Sequence, residues 1–179
     1  AVERNLYLAA AAEVETEGAG RIDSDELLTR LLFLKSRKVA PADTDYFYRQ
    51  TPGSVTRSIG IRWFDRLDTA IAIARLTAKY FGPESSEREK ARLHLFHSLW
   101  SALLQYNRHR TTLSPERNAL FHKFENARHA LRHRFGFPSS TPALKRALLA
   151  IGTGPTLSAL SFADFCRRLA GMPRNNPIS

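Results

Sequence analysis

The sequence predicts a mainly α-helical protein, a compact bundle of six or seven helices with one short β-ribbon near residues 54–63. Three observations predict it. Apolar residues recur at three- and four-residue spacing through most of the chain. Ser-Pro and Thr-Pro pairs and glycines fall where those stretches begin and end. Only one segment alternates with a period of two, and nothing alternates strand with helix as a parallel sheet would require.

In chain order, residues 3–16 carry Leu6, a run of alanines and Val14, and the Gly18-Ala19-Gly20 break ends them as a helix. Ser24 offers an N-cap, with Asp25 and Glu26 where carboxylates meet the positive helix end. Leu27, Leu28, Leu31, Leu32 and Leu34 then give a helix to about Arg37. Residues 39–53 read as loop, punctuated by Pro41 and Pro52-Gly53. In 54–63, Val55, Ile59, Ile61 and Trp63 share one parity and Thr56, Ser58, Gly60 and Arg62 the other, which predicts a strand. Its partner would be residues 44–49 or a second copy of the chain.

Leu67, Ala70, Ile71, Ala74 and Ala78 predict a helix over 65–81, ended by Gly82-Pro83. Ser86 with Glu89 has the capping-box spacing and opens a long helix to about Asn107. Its stripe is Leu93, Phe96, Leu99, Trp100, Leu103 and Leu104. Ser114-Pro115 starts a helix that carries Leu120, Phe124, Ala127, Leu131 and Phe135 and stops at Gly136. Thr141-Pro142 opens another over 142–151, and Ser161 a last short one to about Ala170. One helical domain over residues 1–172, with its basic part at 88–146, and a flexible tail over 173–179 complete the expected layout.

Composition sets the class. The chain has 179 residues, 43% apolar and 25% charged, enough for one packed core and too apolar for wholesale disorder. Its one cysteine, Cys166, excludes an internal disulfide and a cysteine-built zinc site, which favours a reducing, cytoplasmic setting. The apolar run Leu6–Ala12 is far short of the ~20 residues of a membrane span, and it follows Glu3 and Arg4 too closely for a secretory signal.

Charge is the distinctive feature. Lys and Arg total 27 against 17 Asp and Glu, a net of +10. Residues 1–87 carry 12 basic and 13 acidic side chains, whereas residues 88–146 carry 12 and 3. All six histidines (94, 97, 109, 122, 129 and 133) lie in the second segment. Charge this concentrated suggests a surface for a polyanion, the alternative being a solvated face that maintains solubility. The candidate nucleic-acid contacts on these helices are Arg88, Lys90, Arg92, Arg108, Arg110, Arg117, Lys123, Arg128, Arg132 and Arg134. Guanidinium groups pair bidentately with phosphate, and a helix sets several along one side.

A strand, a helix and a second capped helix, over Ser54–Trp63, Asp65–Phe81 and Ser86–Gln105, resemble the ribbon-helix-helix DNA-binding family. The resemblance covers about 50 residues and rests on pattern. It implies a dimer whose paired strands enter the major groove, with Thr56, Ser58 and Arg62 facing bases and the second helix's start at Ser85-Ser86 meeting a phosphate. Arg57 and Arg62 would be the base readers. The long first helix, the 53 preceding residues and the bulky Trp63-Phe64 joint depart from the family. A hairpin strand packed on the helical core gives the same pattern.

Other constellations say less. Tyr46-Phe47-Tyr48-Arg49 would plug a core edge or stack on unpaired bases. His129 and His133 have metal-ligand spacing, but Ala130 stands where a metalloprotease helix needs Glu, so no metal is expected and the histidines would add pH-dependent charge. Cys166 falls on the stripe Phe162, Phe165, Leu169 and reads as a buried structural thiol. Gly152-Thr153-Gly154-Pro155 lacks the Lys of a phosphate loop and reads as a turn.

The expectation is therefore a non-enzymatic nucleic-acid-binding protein without cofactor or membrane partner, DNA favoured over RNA, as a homodimer or in a larger complex, with a regulatory or accessory role in transcription. A helical subunit gripping the RNA backbone of a ribonucleoprotein, and a helical adaptor for an acidic protein, are the alternatives.

Overall fold

The computed structural model of the chain describes residues 2–18, 24–40 and 59–169. Among these residues seven α-helices form, and the protein is mainly α. Helical periodicity explains the centre. In α3 (Arg66–Tyr80) the buried residues Ala70, Ile73, Ala74 and Thr77 recur at three and four, as do Ala91, Leu95, Leu99 and Ala102 in α4 (Ser86–Arg108). Alanines at these positions let the two ridged surfaces approach closely. The two helices run antiparallel through the turn at Gly82-Pro83, and among the described residues theirs is the most extensive helix contact.

The cap of α4 lies one residue earlier than its sequence predicts. Ser85, not Ser86, accepts a hydrogen bond from Arg88 N. Glu89 therefore closes no capping box. Its carboxylate instead accepts the backbone N–H and hydroxyl of Ser139, each at 2.7 Å, tying α4 to a distant turn.

A second antiparallel rod lies on this pair. It starts at Ser114–Glu116 as a 3-10 turn, continues as α5 (Arg117–His129) and widens into a π-helical turn, Ala130–Phe135. Gly136 ends it with φ +83° and ψ 156°, a conformation open to glycine alone without strain. Phe124, wholly buried, meets Phe64 edge-on at 5.8 Å and Tyr106 at 5.6 Å between ring centres.

The predicted ribbon is not a strand where it is described. Residues 54–58, with Arg57, lie outside the described residues, Ile59 and Gly60 are irregular, and Ile61–Asp65 forms a 3-10 turn. Trp63-Phe64 gives the reason. Adjacent residues of a strand point to opposite faces, yet both of these rings are buried, Phe64 completely. A tight turn puts the two against one core, with Arg66 stacked 4.2 Å over Trp63.

The C-terminal region also differs. After α6 (Ala143–Ile151), α7 spans Thr153–Leu169 without a break, where a turn and a short helix from Ser161 were expected. Pro155 causes no interruption because it sits in the first turn, where a backbone N–H has no helical partner. Thr156 Oγ1 donates towards the end of α6, at 2.9 Å from Leu148 O and 2.7 Å from Gly152 O. Ser161 instead links α7 to α4, its hydroxyl 2.6 Å from Asn107 Oδ1.

At the other end, α1 (Arg4–Thr16) and α2 (Ser24–Lys35) pair and dock on α3. Glu13 is the junction. Its carboxylate meets Lys35 of α2 at 2.8 Å, Lys79 of α3 at 2.6 Å and the Tyr80 hydroxyl at 3.1 Å. Hydrogen bonds from Lys35 and then Lys79 hold its carboxyl down at about 2, against 4.5 ordinarily. Because the folded value is the lower one, this stabilisation is complete above the ordinary value and is lost as pH falls from 4.5 towards 2. Glu13→Gln should lower stability at neutral pH and flatten the acid limb of a plot of urea midpoint against pH. Superimposable acid limbs would remove Glu13 from that role.

Candidate nucleic-acid interface

Every helix leaves its last carbonyls without helical partners. In this bundle arginines from neighbouring elements meet them. Arg88 donates to Ala78 O at the end of α3. Arg92 reaches Phe135 O at the end of the π-helical turn, at 3.5 Å. Arg128 and Arg132 reach Leu149 O at 3.4 Å and Ala150 O at 2.7 Å in the last turn of α6. Arg75 caps α1 through Glu17 O at 3.0 Å. A cation at a helix C-terminus is also favoured by the dipole.

These contacts divide the candidate residues. Arg92 is ion-paired to Glu89 at 2.7 Å and Arg128 to Glu125 at 2.6 Å. Lys123 is turned inward, 3.1 Å from Asp65 and in contact with Asp68, joining α5 to the start of α3. Burial opposes its charge, but hydrogen bonds to Asp68 and Asp65 outweigh this and hold its pKa above the ordinary lysine value. Lys90, Arg110, Arg117, Arg132 and Arg134 are exposed, and Arg88 and Arg108 are half-buried. Arg62 is exposed on the 3-10 turn before α3.

Because α4 and α5 are antiparallel, the basic residues gather at two ends. Arg88 and Arg92 near the start of α4 meet Arg134 near the end of the π-helical turn, around a cavity of about 290 Å³. Arg110 and Arg117, at the connection between the two helices, flank a groove of about 390 Å³ whose walls include Tyr106, Phe121 and Ser158. Arg117 lies 5.4 Å over the Phe121 ring and Arg134 5.5 Å over Phe135. Between Arg92 and Arg108, α4 rises about 24 Å.

The His129 and His133 rings sit 4.7 Å apart. Desolvation, His129 and the adjacent Arg132 and Arg128 push His133 below the ordinary histidine value. Residues 46–49, the aromatic cluster, lie outside the described residues. Lys145 and Arg146 belong to the basic segment without having been singled out in the sequence. Lys145 stacks 4.8 Å over Trp100, and Arg146 donates to Thr141 O at 3.2 Å. Arg75 was missed because its role depends on a helix 58 residues away in sequence.

Cys166 is exposed rather than buried. Its stripe faces solvent too: Phe162 is 67% and Leu169 73% exposed. The inner side of α7 is Thr153, Thr156 and Leu157, buried, with Leu160 packed against the core. The helix therefore has two faces with apolar residues at helical spacing, and spacing alone does not choose between them.

No protein-family model matches the chain, and no curated protein and no solved structure matches it. Among the described residues no helix is long and apolar enough to cross a membrane.

The exposure of Cys166 is directly measurable. In the native protein without denaturant, it should react completely with a water-soluble thiol reagent. Reaction only upon unfolding would return it to the core.

Proposed function

We propose that the protein binds nucleic acid through the phosphate backbone, without catalysis and without reading bases. The observation that carries this reading is the set of exposed cations on α4, α5 and their flanks: Lys90, Arg110, Arg117, Arg132 and Arg134. The segment that supplies them, residues 88–146, has 12 basic side chains against 3 acidic. A guanidinium that caps a helix with one N–H retains its charge and its other donors. Arg132 therefore serves α6 and still faces solvent.

The preference for DNA rested on a ribbon, and with Ile61–Asp65 in a 3-10 turn it has no support from that segment. Phosphate contacts carry no sequence information. The expected ligand is accordingly any strand that sets phosphates across the length of α4. The about 24 Å between its two basic ends corresponds to roughly seven base steps of duplex.

Binding to duplex DNA, single-stranded DNA and RNA over a salt series tests the reading. If about four exposed cations meet phosphates, log K against log salt should fall with a slope near −3.6 on duplex. The double variant Arg110→Gln/Arg117→Gln should reduce that slope by about 1.8 while affecting unrelated sequences equally. Absence of binding at low salt, a flat slope, or a double variant indistinguishable from the parent would each refute it.

A further inference from the structure

The cavity between the end of α3, the first half of α4 and the π-helical turn has the make-up of a small-ligand site. One side is cationic, formed by Arg88, Arg92 and Arg134. The other is apolar, formed by Ala74, Ala78, Ala91 and the Phe135 ring. Its volume of about 290 Å³ lies at the lower end for ligand pockets, which are mostly apolar with a few convergent polar groups.

The charges here do not cancel. Glu89 is ion-paired to Arg92 at 2.7 Å, but its carboxylate is also held by Ser139, whose hydrogen bonds, foremost among the causes, keep its pKa below the ordinary value. The lining thus carries three guanidinium groups and no carboxylate, and Glu89, the acid paired to Arg92, offsets one of them. The Nε atoms of Arg88 and Arg92 are buried and have no hydrogen-bond partner in the protein. Buried donors in native proteins ordinarily have partners; the Arg75 Nε is also unpaired outside this cavity, but it is here that two such arginines line one space. Both arginines are held from within, Arg88 by Ala78 O and Arg92 by Phe135 O, so their positions are set before any ligand arrives.

We infer that this cavity binds a phosphate monoester carrying a flat or apolar group, of the kind presented by a mononucleotide or by the phosphorylated end of a strand. A monoester brings close to two negative charges at neutral pH, matching the local excess of two positive ones. A backbone diester brings one, and it continues as chain on both sides, which suits an exposed helix face better than a half-buried pair of arginines. Phosphate accepts guanidinium hydrogen bonds bidentately, and Phe135 with the alanines receives the organic part. The small side chains of Ala74, Ala78 and Ala91 keep the space open. The π-helical turn presents Arg134 and Phe135 to it, and such turns occur frequently at functional sites. The site shares Arg134 with the exposed face proposed above but none of that face's other cations, so binding of the monophosphate can succeed where backbone binding fails.

Calorimetric titration with adenosine 5′-monophosphate, with adenosine as control, tests the inference on the full chain. The monophosphate should bind at least about tenfold more tightly than adenosine. Arg134→Gln, which removes an exposed cation, and Ala78→Leu, which fills the cavity without changing charge, should each weaken it by about tenfold or more. Lys38→Gln, which removes an exposed cation outside both the cavity and the basic helices, should leave it unchanged. A monophosphate no better bound than adenosine would overturn the inference, as would unchanged binding in both cavity variants. A short single strand with a 5′-phosphate, set against the same strand with a 5′-hydroxyl, identifies the source. Competition by the phosphorylated strand alone assigns the site to strand ends. Competition by neither, with the monophosphate bound, assigns it to free monoesters. Competition by both strands equally would mean that the backbone occupies the cavity and would overturn the inference.

Discussion

Unpaired carbonyls at helix ends constrain any bundle of short helices, and here the constraint is met largely by arginine. A helix that stops inside a packed structure must find partners for its final C=O groups or leave them to water. Glycine motifs meet part of the need, as at Gly136 and Gly152. The remainder is met across elements: α1 by Arg75, α3 by Arg88, the π-helical turn by Arg92, and α6 by Arg128 and Arg132. Each such bond closes one helix and also fixes its position against another. The long reach and forked donors of arginine suit this, where lysine would offer one mobile point charge. Much of the basic character of the chain thus has an architectural cause that precedes any ligand.

The ion pairs follow the same logic. Glu13 joins α1, α2 and α3, and Lys123 joins α5 to the start of α3. Neither is a surface ornament: Glu13 is only 13% exposed and Lys123 22%. A carboxylate or ammonium that joins partners on different helices ties those helices in one arrangement, whereas a lone exposed pair is worth little. Lys123 was a candidate phosphate contact from sequence because its residue type and segment matched, and its partners lie 55 to 58 residues earlier. Pairing across that distance leaves no local mark in the sequence.

What the sequence discloses follows that division between local and distant. The helices α1 to α6 fall within a few residues of the spans read from apolar spacing and caps, because these signals act within one or two turns. Ile59, Ile61 and Trp63 imitate a strand because three apolar residues share one parity, and only the core decides that Trp63 and Phe64 enter together in a 3-10 turn. Cys166 was placed in the core because α7 carries apolar residues on two faces and the fold buries the other one. The basic segment was legible as a quantity. Its division between the two ends of α4 was not, since that follows from the antiparallel return of α5.

Architecture and binding are not competing explanations for the same arginines. A guanidinium has five donors, and a single carbonyl uses one or two. Arg88 and Arg92 each spend a nitrogen on a helix end and still border the cavity beside Phe135. Anchoring of this kind lowers the entropy lost when an anion is bound, because side chains that are already ordered have less freedom to give up. It also confounds the obvious experiment: deleting Arg88 or Arg92 unpins a helix end and empties the cavity of charge together. Arg134 separates the two roles, because it lines the cavity from an exposed position, 5.5 Å over the ring of Phe135. A change in ligand binding at Arg134 without a change in stability is therefore the signature that distinguishes a site from a scaffold.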